Sequence, residues 1–136
     1  MLSFQKPNVF IIYKNEDVNS LLAGIFWFKG LDPFKFIDGN ECLKRFRERD
    51  GKVDAVIIDD EIACDNDLML IVNIKRINPE TKVLVIAEEE SKKIKMYEYG
   101  ADEVFLMPLS PIDISDKILL LISKRNLLEK PTNDLV

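Results

Sequence analysis

The sequence predicts an α/β domain built on a parallel five-stranded sheet, and two observations carry that expectation. Five short apolar, β-branched runs recur at near-regular spacing along the 136 residues: Val9–Tyr13, Phe34–Ile37, Ala55–Ile58, Val83–Ala87 and Val104–Met107. Each is followed by a stretch whose apolar residues repeat with helical rather than strand period. Strands that alternate with helices imply a parallel sheet covered on both faces.

The elements follow in order. After the first strand, Val18, Leu21, Leu22, Ile25 and Phe26 form one face of a helix. Asn15 suits its N-cap, Glu16 and Asp17 suit its positive end, and Gly30 closes it. The second helix runs from about Asn40 to Arg49, turns Leu43 and Phe46 inward and stops at Gly51. The third, near Leu68–Ile77, is apolar nearly all round and ends before Pro79. The fourth, from about Ser91 to Tyr99, follows three glutamates and closes on Gly100; the fifth spans Ile114 to about Leu128, ahead of Pro131. Strands one, three and four read as continuous apolar runs, as burial on both faces requires. Strand two alternates, with Lys35 between Phe34 and Phe36, which suits an edge. Five such units predict a doubly wound, flavodoxin-like (βα)5 sheet in the order 2-1-3-4-5, with a crevice at the C-terminal ends of strands one and three. The domain is expected over residues 7–128, with an N-terminal extension at 1–6 and a flexible tail at 129–136.

Composition narrows the function. With 47% hydrophobic and 32% charged residues the chain is an ordinary globular protein. A net charge of −5 argues against nucleic acid as a partner, which needs a basic face to displace counterions. The basic clusters Lys44–Arg49 and Lys92–Lys95 alternate with acids on predicted helices and read as solvated faces. There is no histidine, which removes the usual general base and the commonest zinc ligand. Cys42 and Cys64 lack metal-type spacing, so a reducing, cytoplasmic setting is expected. No apolar run approaches the ~18 residues of a membrane span. No nucleophile has a base nearby in sequence, so an enzyme is not expected.

The crevice places Tyr13, Lys14 and Asn15, then Asp59, Asp60 and Glu61, then Ala87 and Glu88, then Met107 and Pro108 around one opening. Two motifs there resemble the receiver domains of response regulators. Val53–Asp59, VDAVIID, is similar to the family's "P-D-L-V-L-L-D", whose last Asp accepts a phosphoryl group. Tyr99–Pro111, YGADEVFLMPLSP, is similar to "A-G-A-D-D-Y-L-T-K-P-F-S-P". The resemblance covers about residues 7–125. It implies an acidic pair after strand one that holds Mg²⁺, a Thr or Ser ending strand four, a Lys after strand five and an aromatic switch on strand five. Tyr13 and Lys14, Ala87, Met107 and Val104 occupy those positions. Of the family's pocket only the acceptor position, Asp59, is kept.

Three functions compete. The first is a receiver-like signalling module that works by protein–protein contact without cofactor. The second is a working phosphoacceptor, with Mg²⁺ and a histidine kinase acting on Asp59. The third, ranked last, is a flavodoxin-like cofactor binder, which lacks the Gly-rich turn that cradles phosphate. Under the first reading Lys14 sits where the metal would be, and its ammonium is expected to pair with Asp59. The bland alternative makes Asp59 a strand-end carboxylate satisfied by backbone amides. Asp60 and Glu61 are weak candidates for a metal held in a different geometry. On the fifth helix Leu120 and Leu127 point away from the core stripe, seven residues apart, and suggest a seam for a partner or a second copy. The resemblance implies the same face, helix four–strand five–helix five, for outputs and dimers. Trp27 lies opposite helix one's core stripe, either covered by Leu2 and Phe4 or serving as a binding anchor.

Overall fold

Strand β1 (Asn8–Ile12) is an interior strand of the sheet, and helix α1 (Glu16–Phe28) follows it. Asn15 caps α1 as expected: its side-chain oxygen accepts the amides of Asp17 and Val18 at 3.0 and 3.1 Å. Next come β2 (Asp32–Phe36), α2 (Gly39–Glu48), β3 (Ala55–Asp59), a single-turn α3 (Asp60–Ala63), α4 (Leu70–Ile77) and β4 (Lys82–Ala87). A 3₁₀ turn at Glu90–Lys92 leads into α5 (Lys93–Tyr99), followed by β5 (Glu103–Leu106) and α6 (Pro111–Glu129). This computed structural model describes residues 5–108 and 110–129, the side chains of 125–129 excepted. Leu2 and Phe4, the residues expected to cover Trp27, and the side chain of Leu127 lie outside the described residues, as does the tail from 130.

All strands are parallel in the order β2-β1-β3-β4-β5. The alternating side chains of each strand divide the core in two. Phe10, Ile12, Val56, Ile58, Val83 and Val85 pack on one face with Phe46 of α2, Ile71 and Ile74 of α4, and Met96 of α5. Val9, Ile11, Ile57, Leu84 and Ile86 pack on the other with Leu22 and Phe26 of α1 and Ile114 and Ile118 of α6. Each such fully buried aliphatic or aromatic side chain contributes about 1.5–3 kcal/mol.

Several elements depart from the sequence reading: α3 is an additional helix, and Leu21, expected on the inward face of α1, is 53% exposed because that face runs through Asn19, Leu22 and Phe26. β2 begins two residues earlier than expected and contains Pro33, which an edge strand tolerates because one side of its backbone bonds to no neighbour. Helix α4 is amphipathic rather than apolar all round: it buries Leu70, Ile71 and Ile74 and turns its basic residues Lys75 and Arg76 to the last turn. Helix α6 starts earlier than Ile114, with Pro111 in its first turn and the Ser110 hydroxyl accepting the amide of Asp113 at 3.3 Å.

The G-A-D stretch is a brace at the N-terminal edge of the sheet. Gly100 closes α5 at φ 117°, a left-handed conformation that favours glycine. Asp102 then accepts the backbone amide of Val83 at 2.8 Å and the ammonium of Lys75 at 2.7 Å. Lys75 also donates to the carbonyl of Thr81 at 2.8 Å, so one ion pair ties α4, β4 and the α5–β5 turn.

Candidate functional site

The C-terminal ends of β1, β3 and β4 open onto a cavity of about 280 Å³ lined by Tyr13, Lys14, Asn15, Asp59, Asp60, Glu61 and Glu88. The crevice residues expected after β1, β3 and β4 are therefore brought together with the exception of Ala87, whereas Met107 and Pro108, expected from β5, do not line the cavity. Asp59 ends β3 and is 7% exposed. One carboxylate oxygen, Oδ2, accepts the backbone amide of Lys14 at 2.9 Å. The other, Oδ1, accepts the amides of Glu61 at 2.8 Å and Ile62 at 3.2 Å, which makes Asp59 the N-cap of α3. Three backbone donors thus hold this carboxylate in place.

The ammonium of Lys14 is elsewhere. It pairs with Glu61 at 3.3 Å, and both side chains are largely exposed. The expected Lys14–Asp59 ion pair does not form; Lys14 meets Asp59 through its backbone. The reason is physical: both Asp59 oxygens already have donors, and Glu61 lets the ammonium stay hydrated. An exposed pair of this kind contributes at most about 1 kcal/mol. Lys14→Ala is accordingly expected to change the unfolding free energy in a denaturant titration by less than about 1 kcal/mol, since alanine keeps the amide that Asp59 needs.

Asp60 is 5% exposed and turns the opposite way from Asp59. Its Oδ2 accepts the amide of Glu88 at 3.2 Å and the ammonium of Lys92 at 3.3 Å. The hydrogen bond and charge of Asp60 raise the Lys92 ammonium above the usual lysine range. Tyr13 is half-buried; burial first, then the charges of Asp59, Asp60 and Glu88, raise its phenol, which stays protonated at neutral pH.

These residues do not fit a Mg²⁺ ion. Asp59 faces backbone donors, while Asp60 and Glu61, the weak metal candidates, pair with separate lysines. Among the described residues no group of three or more acidic, histidine or cysteine side chains is arranged to hold a metal ion.

The other substituted positions are equally specific. Ala87 ends β4 fully buried and brings no hydroxyl to the crevice. Val104 is buried in β5, and its amide donates to the hydroxyl oxygen of Tyr97 at 3.1 Å. Met107 is 41% exposed, in a cis peptide bond with Pro108. Leu120 is partly exposed on α6, as expected.

Several residues escaped the sequence reading. Asn19 is 2% exposed, and its amide nitrogen donates to the carbonyls of Ile11, Tyr13 and Phe36 at 3.3, 3.2 and 2.9 Å. It fastens the exits of β1 and β2 to α1, and its only signal is a polar residue one turn before Leu22 on the inward stripe. Ile94 and Tyr97, at i and i+3, are exposed on α5, with Met107 and Ile112 exposed on the segments that follow. Their signal was available: Ile94 lies two residues from the buried Met96, on the opposite side of the helix. Trp27, which the sequence already singled out, is 57% exposed and carries the Lys6 ammonium 3.4 Å from its ring centroid.

By sequence, no family model and no curated protein matches the chain. By structure the similarity is extensive. A response regulator receiver domain protein from Clostridium thermocellum aligns with a TM-score of 0.80 at 21% identity, covering 90% of this chain and 98% of that one. A CheY-like receiver domain protein from Methanospirillum hungatei gives 0.79 at 14% identity, over 91% and 99%. An orphan response regulator of H. pylori gives 0.74 at 20% identity, over 85% and 96%. The fold of this chain is that of a receiver domain.

Proposed function

We propose that this chain, with its receiver-domain fold, is a signal-transduction module of the two-component response regulator type that acts by protein–protein contact and without Mg²⁺-dependent phosphorylation. The observation that carries the reading is the state of Asp59. In the position of a phosphoacceptor stands a carboxylate with both oxygens held by backbone amides, and none of the residues that would assist phosphoryl transfer accompanies it. No cofactor is required, no reaction is catalysed, and a cytoplasmic location suits the composition.

The output surface in this reading is the face formed by α5, β5 and α6. Ile94, Tyr97, Met107 and Ile112 expose apolar surface there, and Leu120 adds to it from α6. Exposed apolar side chains on these neighbouring elements of an otherwise charged protein favour a protein partner or a second copy.

The competing reading, a working phosphoacceptor, draws support from the open cavity beside Asp59. The two separate on incubation with Mg²⁺ and a small acyl-phosphate donor, followed by intact mass measurement. The mass is expected to stay that of the unmodified chain. A phosphoryl adduct that disappears in Asp59→Asn would establish the competing reading instead.

A further inference from the structure

The consecutive acids Asp59 and Asp60 fasten opposite walls of the crevice. Asp59 reaches the loop after β1, through the amide of Lys14. Asp60 reaches the loop after β4, through the amide of Glu88 and the ammonium of Lys92. A nearly buried carboxylate is strongly unfavourable unless it is both paired and hydrogen-bonded, and Asp60 has one partner of each kind. Those partners bracket a short segment. Glu88 is the first residue beyond β4, and Lys92 is the last of the 3₁₀ turn that starts α5. The side chain of Ala87, at the end of β4, offers no polar group for the same purpose.

We infer that Asp60 is a resident anion that clamps the β4–α5 loop in one closed position, so that the α5 surface bearing Ile94 and Tyr97 is presented permanently. The inference deepens the reading of the chain as a phosphorylation-independent module and rests on it for its functional meaning. Its physical content is separate: a backbone amide and an ammonium converge on one carboxylate from a different element, 28 and 32 residues away in sequence. The neighbouring carboxylates divide the work, and neither can replace the other, because Asp59 is occupied by the amides of Glu61 and Ile62, which it caps, and by the amide of Lys14.

The test is amide hydrogen exchange on the full chain, comparing wild type with Asp60→Asn, Lys92→Gln, the double variant and Lys92→Arg. Both single variants are expected to speed exchange across residues 88–95 by about tenfold, while the central amides of β3 and β4 keep their protection. The double variant is expected to exchange no faster than the faster single variant, because both remove one interaction. Lys92→Arg, which keeps the charge, is expected to restore most of the protection. Unchanged exchange in Lys92→Gln, or fully additive effects in the double variant, would overturn the clamp. The phosphoryl-donor experiment fails or succeeds independently: an adduct on Asp59 together with a loosened loop in Asp60→Asn would refute the functional reading and leave the clamp standing.

Discussion

Replacing Asp59 with alanine is expected to lower the unfolding free energy by about 2–3 kcal/mol, read from denaturant titration at neutral pH. The figure is the sum of two losses. Removing an N-cap from a helix costs about 1 kcal/mol, and here the cap serves the amides of Glu61 and Ile62. The amide of Lys14 then loses its acceptor in a part-buried site, at about 1–2 kcal/mol more. Asp59→Asn is expected to fall between wild type and alanine. Its side-chain oxygen can still cap α3, while its NH₂ group faces the amide of Lys14, donor against donor. A carboxylate kept only as a reactive group would be removed with little loss of stability, so the size of the effect separates a structural role from a chemical one.

Asn19→Ala is expected to cost more, about 2–4 kcal/mol, and to loosen the exit of β1. Its amide nitrogen serves three carbonyls on two strands from a position 2% exposed, and alanine leaves both the carbonyls and a void. Asn19→Leu fills the void and still abandons the carbonyls, so it is expected to be nearly as damaging. Asn19→Asp matches the shape but sets carboxylate oxygens against carbonyl oxygens, and is expected to be the most damaging at neutral pH. Thermal melts rank the three variants, and amide exchange at Tyr13 and Lys14 reports whether the loss is felt at the crevice. For a chain of this size 1 kcal/mol corresponds to a melting shift of about 4 °C.

The fold was legible because short, mostly continuous apolar runs alternate with stretches of helical period along the chain, and five such units have few ways to form a sheet. Boundaries moved where residues of low strand propensity sit at an edge, as Asp32 and Pro33 do in β2. The four-residue α3 is too short to leave a periodic signal, yet it is what recruits the carboxylate of Asp59. The site was legible in residue types: Lys14, Ala87, Val104 and Met107 stand where the resemblance implies other chemistry. It was not legible in partners. Lys14 had two acids within reach, and desolvation, which sequence does not display, sends its ammonium to the exposed Glu61. Asp60 read as a loop acid, and only the packing of α3 near β4 shows it reaching Glu88 and Lys92.

Asp59 and Asp60 are satisfied by the chain's own hydrogen bonds rather than by a metal and a phosphoryl group. Titrating the folded chain with Mg²⁺ and then beryllofluoride, while following its backbone amide resonances, tests this most directly. The amides of Lys14, Asp59, Glu61 and Glu88 are expected to keep their positions through the titration. Saturable shifts centred on those residues would contradict this arrangement.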